Sequence, residues 1–210
     1  GCETGLRTLM AAQPYVYVPL HLQPEMTTTA LGGMRHHDQA TLVEDLLQHL
    51  PPGWRVLVKE NPKQDWQCRS EAFWPRLMSD PRVLLLPREC ASKQLIAHSQ
   101  LVAVVSGTAG WEAIRMGKPV LSFGWCWYGG LPGVQPFVPG VSLQALAQVQ
   151  IDAGALQQGF ATMMQQAWSG VLDPDYLRLL QNPSDAAQNP ATLSAMLACL
   201  DERAQNTLIS

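Results

Sequence analysis

The sequence predicts an α/β protein, a Rossmann-like parallel sheet with helices on both faces, followed by a helical C-terminal segment. Three observations predict it. Five short apolar runs alternate with stretches of helical pattern. Polar or glycine-containing clusters sit at the ends of those runs. Hydrophobic residues make up 47% of the 210, enough to build a core. Apolar strands alternating with helices at this spacing indicate a parallel sheet covered on both faces.

The first run is YVYVPLH, Tyr15 to His21, rich in β-branched and aromatic residues. A glycine-containing loop leads to a helix over 38–50, where Leu42, Val43, Leu46, Leu47 and Leu50 share one face. Pro51, Pro52 and Gly53 stop that helix. The second run is RVLVKEN, Arg55 to Asn61, and a helix is expected over 65–78. The third run is RVLLLP, Arg82 to Pro87, with a short helix over 92–99 after it. The fourth is LVAVVSG, Leu101 to Gly107, followed by a helix over 111–116 that Gly117 caps. The fifth is PVLSFG, Pro119 to Gly124. Beyond Ser142, Ala, Leu, Gln and Met dominate, and Pro174, Pro183 and Pro190 separate helical segments. The expected organisation is a linker or domain end over 1–14, the Rossmann-like domain over 15–141, and a helical segment packed on it over 142–210.

Composition excludes several classes. A net charge of −3 argues against a general nucleic-acid binder. The charge is uneven: Arg55 to Lys118 holds 10 basic and 6 acidic residues, while both flanks are acidic. A basic middle could hold a phosphate, or reflect ordinary surface variation. The five cysteines are odd in number and scattered, which disfavours a disulfide framework or a zinc site and fits a reducing compartment. No apolar run approaches the ~18 residues of a membrane span, and no signal peptide is visible. The chain begins at Gly1, so a trimmed N terminus or a piece of a longer protein is expected.

Ligands of parallel sheets sit beyond the carboxyl ends of the strands, and four clusters lie there. His21-Leu22-Gln23-Pro24-Glu25 ends the first run. Glu25 could serve as acid, base or nucleophile, or bind a hydroxyl; it could equally cap a helix or pair on the surface. Lys59-Glu60-Asn61-Pro62-Lys63 offers two lysines as point charges for phosphate, or an ordinary polar turn. Ser106-Gly107-Thr108-Ala109-Gly110-Trp111-Glu112 joins a strand to a helix. Its glycines allow close backbone approach. The helix start offers unpaired N–H groups to a phosphate, and Glu112 can accept ribose hydroxyls. The alternative is a glycine-rich turn capped by Ser and Thr. Phe123 to Gly133 sets aromatic residues among glycines, suited to stacking on a base or sugar face or to packing as a loop. The histidines show no metal-site spacing, and no GxSxG or Cys–His arrangement supports a hydrolase.

In this order, PLHLQPE, VKENP and SGTAGWEAIRMGKPVLSFGWCWY resemble the capsule polysaccharide biosynthesis family, specifically its Kdo-transferase-like, surface-carbohydrate members. The resemblance runs from about Tyr15 to Val134. It implies one half of a GT-B glycosyltransferase, the C-terminal donor-binding half, with an N-terminal acceptor-binding half lying outside this chain. The implied donor is a nucleotide sugar, CMP-Kdo foremost, with a UDP- or GDP-sugar as the alternative; no cofactor or metal is implied. The implied acceptor is a glycan or glycolipid. Lys59, Asn61, Ser106, Gly107, Thr108 and Glu112 fall on nucleotide-facing positions, and the catalytic assignments Gln23 and Glu25 fall near the reacting sugar. The family usually has His before the Pro of its KEHP motif, where this chain has Asn61, a neutral partner. The resemblance also implies a cytoplasmic protein, associating with the inner face of the inner membrane or with an export complex. A non-catalytic nucleotide- or glycan-binding module is the remaining reading. On the glycosyltransferase reading, the chain is expected to fold alone and bind nucleotide without transferring sugar.

Overall fold

In the computed structural model, residues 13–23, 34–65 and 69–167 are described, together with positions 190, 194, 197 and 198. The chain divides into two compact units, residues 1–160 and 161–210. The first unit carries one six-stranded sheet: β1 (Tyr15–Pro19), β2 (Arg55–Lys59), β3 (Val83–Leu86), β4 (Leu101–Val104), β5 (Val120–Ser122) and β6 (Val134–Pro136). Its order is β3-β2-β1-β4-β5-β6, and every neighbouring pair is parallel. The helices are α1 (Gln39–Gln48), α2 (Phe73–Met78), α3 (Ser92–His98), α4 (Thr108–Arg115), α5 (Leu143–Ala147) and α6 (Ala153–Gln165), with a 3-10 turn at Met34–His37. α6 runs across the division between the two units.

The central strands are continuous apolar runs because both sheet faces are covered. Val16, Val18, Val56, Val58, Leu101, Ala103 and Leu121 pack on one face with Leu42, Val43 and Leu46 of α1, Phe73 and Leu77 of α2, and Leu143 and Leu146 of α5. Tyr15 and Tyr17 alternate to the other face, where α3 lies. The Tyr15 hydroxyl donates to the Leu95 carbonyl at 2.7 Å, and the Tyr17 and Ser92 hydroxyls stand 3.2 Å apart. Asp38 caps α1 by accepting from the Ala40 N–H. Gly117, at φ 73°, supplies the left-handed residue that ends α4.

The five expected strands are all present. β6 was not expected: Val134-Gln135-Pro136 is a short, half-exposed edge strand with no apolar run to announce it. α4 begins at Thr108, three residues before the predicted start. Of the predicted 65–78 helix, α2 occupies the last six residues, and residues 66–68 lie outside the described residues. Ser70-Glu71-Ala72 forms a lead-in closed by the Phe73 N–H to the Ser70 carbonyl, and Pro75 sits in the first turn, where no backbone donor is needed. The segment beyond 142 is helical through α5 and α6, and its continuation past 167 lies outside the described residues apart from the four isolated positions.

Candidate functional site

The sheet order reverses between β1 and β4: one chain half builds outward to β2 and β3, the other to β5 and β6. Ligand crevices of open parallel sheets form at this switch point. A cleft of about 470 Å³ opens there, lined from the ends of β1, β2 and β4, the start of α4, and Trp127. Lys59, Asn61, Ser106, Gly107, Thr108 and Glu112, the six residues expected to face nucleotide, all line it.

Lys59 ends β2 and is only 6% exposed. Its ammonium donates to the Cys90 carbonyl and to Ser92 Oγ, each at 2.8 Å. Burial pulls its pKa below the usual lysine value, opposed by the nearby Cys90 and Glu89. No carboxylate of the described residues stands within ion-pair distance of it, so the cleft floor carries a cation set among neutral partners. An anion is the ligand that such a floor favours.

Gly107 is the N-cap of α4, and its extended backbone (φ −72°, ψ 160°) turns the chain into the helix without a side-chain cap. Gly107, Thr108 and Ala109 line the cleft, which sets the positive end of the helix dipole against it, while the Gly110 N–H bonds back to the Gly107 carbonyl at 3.1 Å. Two contacts fix this loop. The Tyr128 hydroxyl donates to the Gly107 carbonyl. His21 packs so closely that a Cβ on Gly107 would lie 2.1 Å from its Cε1. His21 is buried; its Nε2 accepts the Val105 N–H at 3.0 Å, joining the ends of β1 and β4. Burial, aided by the Arg69 charge, pushes its pKa down to about 4.

A second network holds the β1 and β2 ends together. Arg69 meets Glu60 with two hydrogen bonds, Nε to Oε2 at 2.9 Å and Nη2 to Oε1 at 2.7 Å. Its guanidinium also donates to the His21 carbonyl at 2.7 Å and to Gln23 Oε1. Gln23 further donates to the His37 carbonyl and exchanges hydrogen bonds with the Gln64 carboxamide. Gln23 is thus engaged in this network and is not among the residues lining the cleft. Glu25 lies outside the described residues. Asn61 lines the cleft, but its Oδ1 accepts the Lys63 N–H at 3.0 Å, closing the turn around Pro62.

Sequence reasoning left His21 and Glu60 as members of clusters without roles, and missed Arg69 and Tyr128 as supports. His21 and Glu60 carried a signal, being polar residues at strand ends. Arg69 had none, because its contacts form only when the loops fold back on the sheet. The aromatic loop divides: Cys126, Tyr128 and Leu131 are buried, while Trp125 is 66% and Trp127 41% exposed. Trp127 reaches the cleft and lies 5.1 Å from the Trp111 ring of α4. The loop is thus a packed base with open indoles above it.

A family model described as capsule polysaccharide biosynthesis protein matches residues 7–136. No curated protein matches. Among solved structures, the chain is similar to the KpsC beta Kdo 2,4 transferase of Thermosulfurimonas dismutans at 18% identity and a TM-score of 0.48, covering 69% of this chain and 43% of that one. It is similar to the KpsC beta Kdo 2,7 transferase of the same organism at 18% identity and TM-score 0.47, covering 70% and 51%. The UDP-GlcNAc 2-epimerase of Methanocaldococcus jannaschii matches at 9% identity and TM-score 0.47, covering 78% and 50%. The chain therefore spans about half the length of these proteins.

Proposed function

The chain belongs to the capsule polysaccharide biosynthesis protein family, and from that premise we propose that it is the nucleotide-sugar-binding half of a surface-polysaccharide glycosyltransferase. The favoured donor is CMP-Kdo and the acceptor a glycan or glycolipid. The observation that carries the reading is the convergence of six expected nucleotide-facing residues on one cleft at the switch point of a parallel sheet. The N–H groups of the first turn of α4, with the Ser106 and Thr108 hydroxyls, hold the phosphate. Lys59 beneath them stabilises the negative charge that grows there as the sugar departs. Glu112, one turn into α4, accepts the ribose hydroxyls, and Glu25 acts near the anomeric carbon.

Calorimetry with CMP, UMP and GMP tests the donor. CMP is expected to bind most tightly, and equal or absent CMP binding removes that assignment. Glu112→Gln turns a charge-assisted bond into a neutral one and is expected to weaken CMP binding by about 1–2 kcal/mol. Unchanged affinity returns Glu112 to the helix surface.

Two observations favour a second reading, a nucleotide-binding module without transfer. Gln23 is held by Arg69 away from the cleft lining, and Asn61 spends its Oδ1 on a turn. Incubation of a longer protein that also carries the acceptor-binding half with CMP-Kdo and a glycan acceptor, read by mass spectrometry, separates the two, because both readings expect no transfer by these 210 residues alone. In a protein that transfers sugar, Glu25→Gln lowers turnover far more than CMP affinity.

A further inference from the structure

We propose that the Nδ1–H of His21 is a ligand-binding donor, which hydrogen-bonds a phosphate oxygen seated at the N terminus of α4. The inference rests on the nucleotide-binding reading and adds a residue to it. His21 ends the stretch after β1, is 8% exposed and lines the cleft. Every other polar group of the residue is engaged within the protein. Its N–H donates to Gln39 Oε1 at 2.7 Å. Its carbonyl accepts from Gln39 Nε2 at 3.2 Å and Arg69 Nη2 at 2.7 Å. Its Nε2 accepts the Val105 N–H.

That last bond decides the tautomer. A ring nitrogen that accepts from a backbone amide carries no proton, so a neutral imidazole must carry its proton on Nδ1. A second proton would set two N–H groups against each other, and the ring resists it until about pH 4. Nδ1 makes no hydrogen bond among the described residues. Among the described residues, no side-chain nitrogen or oxygen is both fully buried and unpartnered, so the Nδ1 atom reaches open space, and the cleft is the space His21 borders.

The neighbouring chemistry selects the ligand. A Cβ on Gly107 would lie 2.6 Å from Nδ1, so the donor edge of the ring adjoins the residue that begins α4. The N-cap of α4 is a glycine with no side chain to cap the helix, and the buried Lys59 ammonium lines the same cleft. Helix-end amides, a lone neutral N–H and a cation together match a phosphate oxygen set. His21 contributes direction without charge, and Lys59 contributes charge.

The test is histidine ¹⁵N NMR on the full chain, with His21 assigned by comparison with His21→Gln. At pH 7, His21 is expected to show a protonated Nδ1 and a bare Nε2. CMP should move the Nδ1–H resonance downfield and slow its exchange with water, while cytidine, which lacks the phosphate, should leave it in place. His21→Gln is expected to weaken CMP binding about tenfold, the ordinary worth of a hydrogen bond to a charged group. Protonation on Nε2, or CMP binding with Nδ1–H unmoved, overturns the inference while leaving the nucleotide reading intact. If CMP fails to bind but inorganic phosphate moves Nδ1–H, the nucleotide reading falls and the His21 assignment holds. If neither moves it, the assignment falls.

Discussion

Gly107 and His21 show how one missing side chain shapes the site. The backbone of Gly107 is extended and suits any residue, so the need for glycine is steric: His21 fills the place of its Cβ. Gly107→Ala must displace a buried imidazole and its bond to Val105, with an expected loss of about 1–3 kcal/mol in urea unfolding. A loss below roughly 0.5 kcal/mol would mean that the ring moves aside freely. His21 also makes stability depend on pH. Its folded pKa is about 4 against an ordinary 6.5. Between these values the unfolded chain binds a proton that the folded chain refuses. Stability therefore falls as pH drops from about 6.5 to about 4, by ~3 kcal/mol from this group. Urea unfolding at pH 7 and near pH 4 should show a larger loss for the wild type than for His21→Gln. Equal losses would contradict the buried, neutral ring. None of this was legible in the sequence, where His21 is simply a polar residue after a strand. Its role depends on β4, paired beside β1 but 84 positions away along the chain at Val105.

At the scale of elements, the segments after β1 and β2 act as one unit through Arg69 and Glu60. Their side chains are 1% and 5% exposed. Glu60→Gln leaves a guanidinium buried without its counter-charge, and the expected destabilisation is about 3–5 kcal/mol. A measured loss below about 1 kcal/mol would show that Arg69 finds water instead. The elements themselves were legible in proportion to their burial. β1, β2, β4 and β5 are covered on both faces and therefore read as unbroken apolar runs. β6 is exposed and three residues long, so it left no pattern. The start of α4 was placed late because Thr108, Ala109 and Gly110 read as loop residues, whereas the ladder of β4 and the Tyr128 anchor on Gly107 fix the turn earlier. The six residues expected to face nucleotide were legible as cleft-lining positions, because polar residues at strand ends have few places to point except the crevice. Gln23 was read the same way, but Arg69 and Gln64 hold it in a network no local pattern reveals.

Across the molecule, the parallel order β3-β2-β1-β4-β5-β6 places one crevice beside the basic middle of the chain. Of the ten basic residues between Arg55 and Lys118, Lys59 alone lines the cleft, while Arg69, Arg76 and Arg82 pair with carboxylates. Trp127 forms part of the cleft rim, giving an apolar surface beside the polar floor. Among the described residues, no helix is long and apolar enough to cross a membrane. The central claim is that this cleft holds a nucleotide by its phosphate, and a crystal structure of the chain with CMP tests it most directly. The account predicts the phosphate at the start of α4, within hydrogen-bond distance of the Thr108 N–H and His21 Nδ1, with the ribose at Glu112. CMP bound elsewhere, for example against Trp125 with this cleft empty, would contradict it.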